Sequence, residues 1–347
     1  MDIKNHEELN MKAFIQLNNK DKLNIFNQVS EKTGLPSSAV EKDWWVTLSL
    51  NIIFSLSYSK HIVFKGGTSL SKAWNLIERF SEDIDLVIDR KHLGFEGQLS
   101  KTQVKKLRKV SCSFIGNEFY NDINHALIKL GVTDYELVIQ ETKDTDTDPL
   151  VIELRYKSLT ETSDYLRPRV LIEVGARSLM EPVENKAIIS MVSEGFRELP
   201  FAETEITIPV VSPKRTFLEK IFLLHEEFQK DTKFIRVERM SRHLYDLEKL
   251  MDTIHGTDAL KAIELYDTII EHRKNFNAIR GIEYANHSPQ LINILPPEKT
   301  VKDWEKDYRT MQESMFYGTT LSFGKLMERI AELNDRIKTI SSSLPRF

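Results

Sequence analysis

The chain opens in a helical rhythm. Residues 7–33 carry the spacing of two short helices, and Gly34-Leu35-Pro36 then breaks it. Ser37 or Ser38 is placed to cap the next helix, residues 39–57, whose stripe Val40, Trp44, Thr47, Leu48 repeats at the helical period. Residues 61–65 (HIVFK) form a short β-like run ending at Gly66-Gly67. Residues 69–79 read as helix, with Leu70, Ala73, Trp74 and Ile77 at i, i+3, i+4, i+7. Residues 83–89 (DIDLVID) alternate over most of their length and read as a strand.

Residues 101–130 are helical in pattern. Strand patterns follow at 135–140, 150–156, 169–175 and 206–211, and the acidic stretch 141–149 (ETKDTDTDP) reads as a solvated hairpin loop. From Pro213 onward the pattern is helical, interrupted near Gly256, at 286–289 and at Pro296-Pro297. Strands mixed with helices, then helices alone, predict an α+β domain over residues 1–212 and a helical domain over 213–347. A length of 347 residues fits two domains.

Composition narrows the class. Apolar residues at 41% and charged residues at 29% exclude a largely disordered chain. A formal net charge of −4 excludes a chain-wide basic footprint for nucleic acid but leaves room for a local one. The one cysteine, Cys112, excludes an intrachain disulfide framework and a multi-cysteine zinc site, and fits a reducing compartment such as the cytoplasm. Residues 44–58 are the most membrane-like stretch. They are short and carry Thr47, Ser49, Asn51, Ser55 and Ser57, so they predict a buried helix and no membrane association.

The informative chemistry lies in residues 64–89. Strand, Gly66-Gly67, then helix lets the backbone approach a ligand with no Cβ in the way, and Thr68 and Ser69 at the helix start suit an anion such as a triphosphate. A tight turn is the alternative for that segment alone. On the following strand, Asp83 and Asp85 project to one face with Ser81 and Val87, while Ile84, Leu86 and Ile88 point into a core. Two adjacent carboxylates repel each other. A divalent cation relieves that cost, and Mg²⁺ favours one or two carboxylates plus substrate phosphate oxygens.

Gly66-Gly67-Thr68-Ser69-Leu70-Ser71-Lys72, followed by Arg79-Phe80-Ser81-Glu82-Asp83-Ile84-Asp85-Leu86, resembles the AbiEii/AbiGii nucleotidyltransferase toxin family of the DNA polymerase β-like superfamily. Glu41-Lys42-Asp43-Trp44-Trp45-Val46, Thr216-Phe217-Leu218-Glu219-Lys220 and Arg242-His243-Leu244-Tyr245-Asp246-Leu247 resemble it too. The four matches keep the family's order and span about residues 41–247. The resemblance implies a polymerase β-like mixed sheet with flanking helices and a C-terminal helical domain that completes the cleft. It also implies an Mg²⁺-dependent enzyme, with Mn²⁺ as an alternative ion. Asp83 and Asp85 would hold metal, with Glu173 as candidate third carboxylate and a paired or surface glutamate as its alternative. Gly66, Gly67, Thr68, Ser69, Lys72 and Ser81 would bind the nucleotide. Lys220 would set a charge on the β- or γ-phosphate, with a solvated lysine as its alternative. Asp246 would position Lys220, an arginine or the nucleophile, with a local pair to Arg242 as its alternative.

By the same resemblance, the reaction moves an NMP group from an NTP to an acceptor hydroxyl, the 3′ end of tRNA in relatives. The protein would be the toxin of a type IV toxin–antitoxin or abortive-infection (phage-defence) system with a separately encoded antitoxin. Transfer to a protein or a small molecule, and a non-catalytic NTP-binding role, are the competing readings. Arg236, Arg239 and Arg242, spaced i, i+3, i+6, could line a groove for the phosphates of RNA. The basic run 101–109 (KTQVKKLRK) could touch an RNA backbone, though a solvated helix face is its commoner reading. His243 reads as a packed helix histidine; Tyr308, Phe316 and Tyr317 could stack on a base, with core packing as their first reading.

Overall fold

The computed structural model describes residues 12–81, 83–142, 147–161, 166–277, 279 and 281–340. The start of the first helix, and residues 143–146 of the expected hairpin loop, lie outside the described residues. The chain divides into two compact units, Met1–Ala73 with Ser81–Val210, and Trp74–Phe80 with Val211–Phe347.

The first unit is built on one mixed sheet. Helices α1 (Asn19–Thr33) and α2 (Ser37–Ser55) precede it. Asn18 caps α1 by accepting from the Asp21 amide at 3.0 Å, and Gly34 ends it at φ 73°. The cap of α2 is not a serine, as the sequence suggested; Pro36 takes that position and Ser37 is already helical. Almost every residue of α2 from Ala39 to Ile53 is buried, so it is a core helix wetted on no face.

Strands β1 (Ile62–Lys65), β2 (Asp83–Ile88), β3 (Tyr135–Ile139), β4 (Leu150–Tyr156), β5 (Arg169–Gly175), β6 (Val183–Ile188) and β7 (Ile206–Val211) order as β3-β4-β5-β2-β1-β7-β6. Between them lie α3 (Gly66–Lys72), α4 (Lys101–Phe114), α5 (Tyr120–Leu130) and α6 (Met191–Gly195), with a π turn at Ile115–Phe119. β2 runs antiparallel to β1 and parallel to β5. Ile84, Leu86 and Ile88 face the core with Val170, Ile172 and Val174, which accounts for the strand alternation in both segments. Strand β6 was not legible in the sequence, because VENKAI carries no apolar alternation.

The second unit holds α7 (Pro213–Phe228), α8 (Ser241–Met251), α9 (Ile254–Lys261), α10 (Ile263–His272), α11 (Val301–Ser314) and α12 (Phe323–Lys338). Phe217, Leu218, Ile221, Leu244, Leu247, Trp304, Leu326 and Ile330 are buried and form its core. Among the described residues, no helix is long and apolar enough to cross a membrane.

The helix expected over residues 69–79 stops at Lys72, and Asn75 takes a left-handed backbone at φ 51°. Residues 74–80 instead run through the helical unit. Phe80 N–H donates to the Met315 carbonyl at 2.8 Å, Tyr317 N–H to the Glu78 carbonyl at 3.1 Å, and Arg79 bridges antiparallel to Phe316. Phe316 stacks on Tyr245, with ring centroids 4.2 Å apart. Pairing at distance in sequence has overridden the local helical period.

Candidate active site

In the first unit, strand β2 presents Asp83 and Asp85 on its half-buried face while Ile84, Leu86 and Ile88 are sealed beneath it. Ser81 precedes the strand and is half-buried, and Val87 is buried, so the face narrows to the two acids. The parallel register sets Asp83 beside Leu171 and Asp85 beside Glu173; the antiparallel one sets Lys65 beside Asp85. Register partners share a face, so Glu173, Asp85 and Lys65 form a row across three strands. Lys65 Nζ donates to Ser178 Oγ at 3.1 Å. Lys65 was missed in the sequence because the pairing of HIVFK with DIDLVID is not written in either segment.

Gly66 sits against this row. A Cβ added there would fall inside the Asp85 carboxylate, and Gly66 has φ 81°. Only glycine permits both the left-handed turn and the approach. Asp83, Asp85 and Glu173 share the face without closing into a metal cage: among the described residues no three His, Cys, Asp or Glu side chains gather into a set that could hold an ion. Two carboxylates on one strand face fit the donor set that Mg²⁺ takes beside substrate phosphate oxygens.

The glycine segment differs in detail from expectation. α3 begins at Gly66, ahead of Ser69. The Thr68 hydroxyl donates to the Asp83 carbonyl and the Ser69 hydroxyl to the Gly66 carbonyl, the latter at 2.8 Å, and both residues are buried. Thr68 fixes the segment to the start of β2 and Ser69 closes its first turn, so any anion contact here falls to the main chain. Gly67 follows Gly66 within α3. Lys72, expected on the nucleotide, donates to Asp43 Oδ1 at 2.5 Å and to the Ile189 carbonyl at 3.0 Å.

The Glu41-Lys42-Asp43-Trp44 motif is scaffold. Glu41 accepts from Ser158 Oγ (2.7 Å), Leu159 N (2.9 Å) and Thr160 Oγ1 (2.6 Å). Lys42 donates to the Arg167 carbonyl at 3.1 Å, and Asp43 accepts from the Met191 amide at 2.7 Å. Trp44 Nε1 donates to Glu203 at 3.0 Å. Burial pushes the Glu203 carboxyl up to about 7, against the smaller opposing pull of Trp44 and Lys72.

In the second unit, Asp246 on α8 is fully buried and accepts from Arg79 Nε at 2.7 Å and Nη2 at 2.8 Å. Lys220 Nζ, on α7, lies 2.8 Å from Asp246 Oδ2, the oxygen that also accepts from Arg79 Nη2, and 3.3 Å from His243 Nδ1. Burial alone would push the Asp246 carboxyl up; Arg79 and then Lys220 outweigh it and hold it well below the usual carboxylate range. Burial pulls Lys220 down more than Asp246 raises it. Burial and the neighbouring Lys220 cation push His243 down as well, so its imidazole stays neutral.

Arg79 had been quoted only as part of a motif. The arginine row at 236, 239 and 242 does not form. α8 begins at Ser241, Arg239 has φ 60°, and Arg236 is tied to Glu227 at 2.8 and 3.0 Å.

A mixed sheet carrying paired carboxylates beside a glycine turn, together with a helical unit, is the fold of a nucleotidyltransferase toxin. One solved structure sharing it is MenT4, a nucleotidyltransferase toxin from Mycobacterium tuberculosis H37Rv, at TM-score 0.51 and 18% identity over 91% of this chain and 90% of that one. JHP933 from Helicobacter pylori aligns at TM-score 0.38 and 13% identity over 84% of this chain and 90% of that one. No curated protein matches the sequence. Residues 51–329 match the family described as nucleotidyl transferase AbiEii toxin, type IV TA system, and the chain belongs to that family. It is a nucleotidyltransferase toxin of a type IV toxin–antitoxin system, which implies an NTP substrate and an antitoxin partner.

Proposed function

We propose that the chain transfers an NMP group from an NTP to the 3′-terminal hydroxyl of a tRNA. The acceptor oxygen attacks the α-phosphorus, a new P–O bond forms, the α–β bridging P–O bond breaks, and pyrophosphate leaves while the hydroxyl proton passes to solvent. Asp83 and Asp85 would hold Mg²⁺, or Mn²⁺ in its place, with Glu173 beside Asp85 as the third candidate. When bound, the ion screens triphosphate charge and offsets the repulsion between the two acids. Ser81, ahead of Asp83, would orient that carboxylate or bond the triphosphate. The main chain at Gly66, Gly67, Thr68 and Ser69 would approach phosphate. Lys220 would keep the implied role of a cation for the β- or γ-phosphate, and its 2.8 Å contact supports Asp246 as the residue that positions it.

The observation that carries the reading is the β2 face: two acids turned the same way, their alternates buried, and no Cβ between Asp85 and Gly66. The test is incubation with labelled NTPs, total tRNA and Mg²⁺. Label should enter RNA with the wild type and vanish in Asp83→Ala. Label on protein, or on an added aminoglycoside with RNA untouched, would overturn the acceptor assignment.

A further inference from the structure

Helix α4 carries Lys101, Lys105, Lys106, Arg108 and Lys109 and no acidic residue, in a chain whose net charge is −4. Val104, Leu107 and Ser111 are its buried face, and α4 packs on β5, the strand that bears Glu173. Lys101, Lys105, Lys106 and Lys109 are all exposed on the opposite side. None of the four makes an ion pair with a described residue.

Helix stability does not account for this pattern. Lys101–Lys105 and Lys105–Lys109 are like charges at i, i+4, which repel along one stripe. The first turn of α4 holds a lysine and no acid, against the preference of the helix dipole. The capping box of Ser100 and Gln103 starts the helix in spite of those charges. A row of cations about one helical turn apart, left without counter-charges and costing the helix that carries it, matches a run of phosphates. Its apolar side is already used in packing, so no apolar face remains to enter a lipid surface.

We propose that the exposed face of α4 docks the phosphate backbone of the RNA acceptor. The inference rests on the tRNA reading above and deepens it: the arginine row first suspected of this task is not a row, and α4 supplies the basic face instead. Phosphate contacts of this kind position the nucleic acid and give a salt-dependent affinity without reading sequence.

The test compares the wild type with the quartet Lys101→Gln/Lys105→Gln/Lys106→Gln/Lys109→Gln. A control quartet changes net charge equally at exposed positions elsewhere, Lys20→Gln/Lys299→Gln/Lys302→Gln/Lys306→Gln. tRNA binding is followed by fluorescence anisotropy from 50 to about 300 mM salt, beside steady-state transfer of labelled NMP. In the α4 quartet the log–log salt slope should become shallower by about 3, and KM for tRNA should rise about tenfold or more, with kcat and KM for NTP unchanged. The control quartet should match the wild type. Equal slopes in all three proteins, or equal losses in both quartets, overturn the docking face while the wild type still labels tRNA. Lysine-dependent binding to phosphatidylserine vesicles with tRNA binding untouched overturns it too. If the wild type labels no RNA, the acceptor reading falls, and the anisotropy slopes still decide the face. If the α4 quartet unfolds, Lys105→Gln alone should make the slope shallower by a little under 1, and an unchanged slope is against the proposal.

Discussion

Two acidic centres in this protein are built on opposite plans. Asp83 and Asp85 stand on a half-buried strand face, held side by side by the pleat, with Glu173 and Lys65 as lateral neighbours. Asp246 lies fully buried, gripped by a two-pronged arginine and a lysine. The first arrangement carries repulsion that a bound cation would relieve. The second has its charges matched inside the protein. A carboxylate near solvent keeps its charge at little cost; a fully buried one keeps it only with its counter-charges in place.

The largest effect that separates the two should come from Asp246→Ala. It strands Arg79 and Lys220 as buried cations, and loss of one partner from such a pair costs about 3–5 kcal/mol. Urea denaturation should show the loss as a shifted midpoint. Asp83→Ala and Asp85→Ala should do the reverse: denaturation midpoints near that of the wild type, and transfer lower by roughly 10²–10³-fold or more. A midpoint for Asp83→Ala that falls as far as that of Asp246→Ala would collapse the distinction. Near-normal transfer in both strand variants would remove the nucleotidyl-transfer role from β2.

These two centres were not equally legible. DIDLVID shows its own faces, because alternation of Asp with Ile and Leu is a local pattern that burial enforces. The buried centre draws on residues 79, 220, 243 and 246, which no short-range rule brings together. The helical period through Leu70, Ala73, Trp74 and Ile77 concealed it further, since residues 74–80 leave that helix to pair with residues 315–317. The family resemblance marked Lys220 and Asp246 and offered Asp246 a choice of partners; the 2.8 Å contact shows that Lys220 is one of them. The arginine spacing at 236, 239 and 242 misled for the same reason: a helical period means nothing where φ at Arg239 is positive. Strand β6 was hidden because a polar edge strand carries no alternation for a sequence to display.

A third acid sharpens the comparison. Glu203 is buried as Asp246 is, but its close partner is the neutral Trp44 N–H, and Lys72 acts on it only more weakly. Burial therefore wins and pushes its carboxyl up to about 7, from an ordinary value of 4.5. The folded state then holds the proton more tightly than the unfolded chain. The resulting stabilisation is complete below pH 4.5, declines as the pH rises toward 7, and is gone above it. The decline amounts to about 3 kcal/mol at most. Glu203→Gln should flatten the midpoint-versus-pH curve between 4.5 and 7 and leave the protein more stable than wild type at pH 8. An unchanged slope over that window would mean the carboxylate is compensated as fully as Asp246.

The smallest expected change tests the strand centre without altering its charge. Gly66→Ala places a methyl group where the Asp85 carboxylate now lies and forces a side chain onto a backbone at φ 81°. The backbone strain should cost about 1–2 kcal/mol. The closest clash is with the far end of the Asp85 side chain, so part of its cost falls on where that carboxylate points. Transfer should fall about tenfold, less than for Asp85→Ala, since both acids remain but one is displaced. Raised Mg²⁺ should recover part of the rate in Gly66→Ala and none in Asp85→Ala. If Gly66→Ala loses stability as estimated yet transfers at the wild-type rate over the full Mg²⁺ range, then the glycine serves only the turn, and the position of the Asp85 carboxylate is not what the β2 face was built to hold.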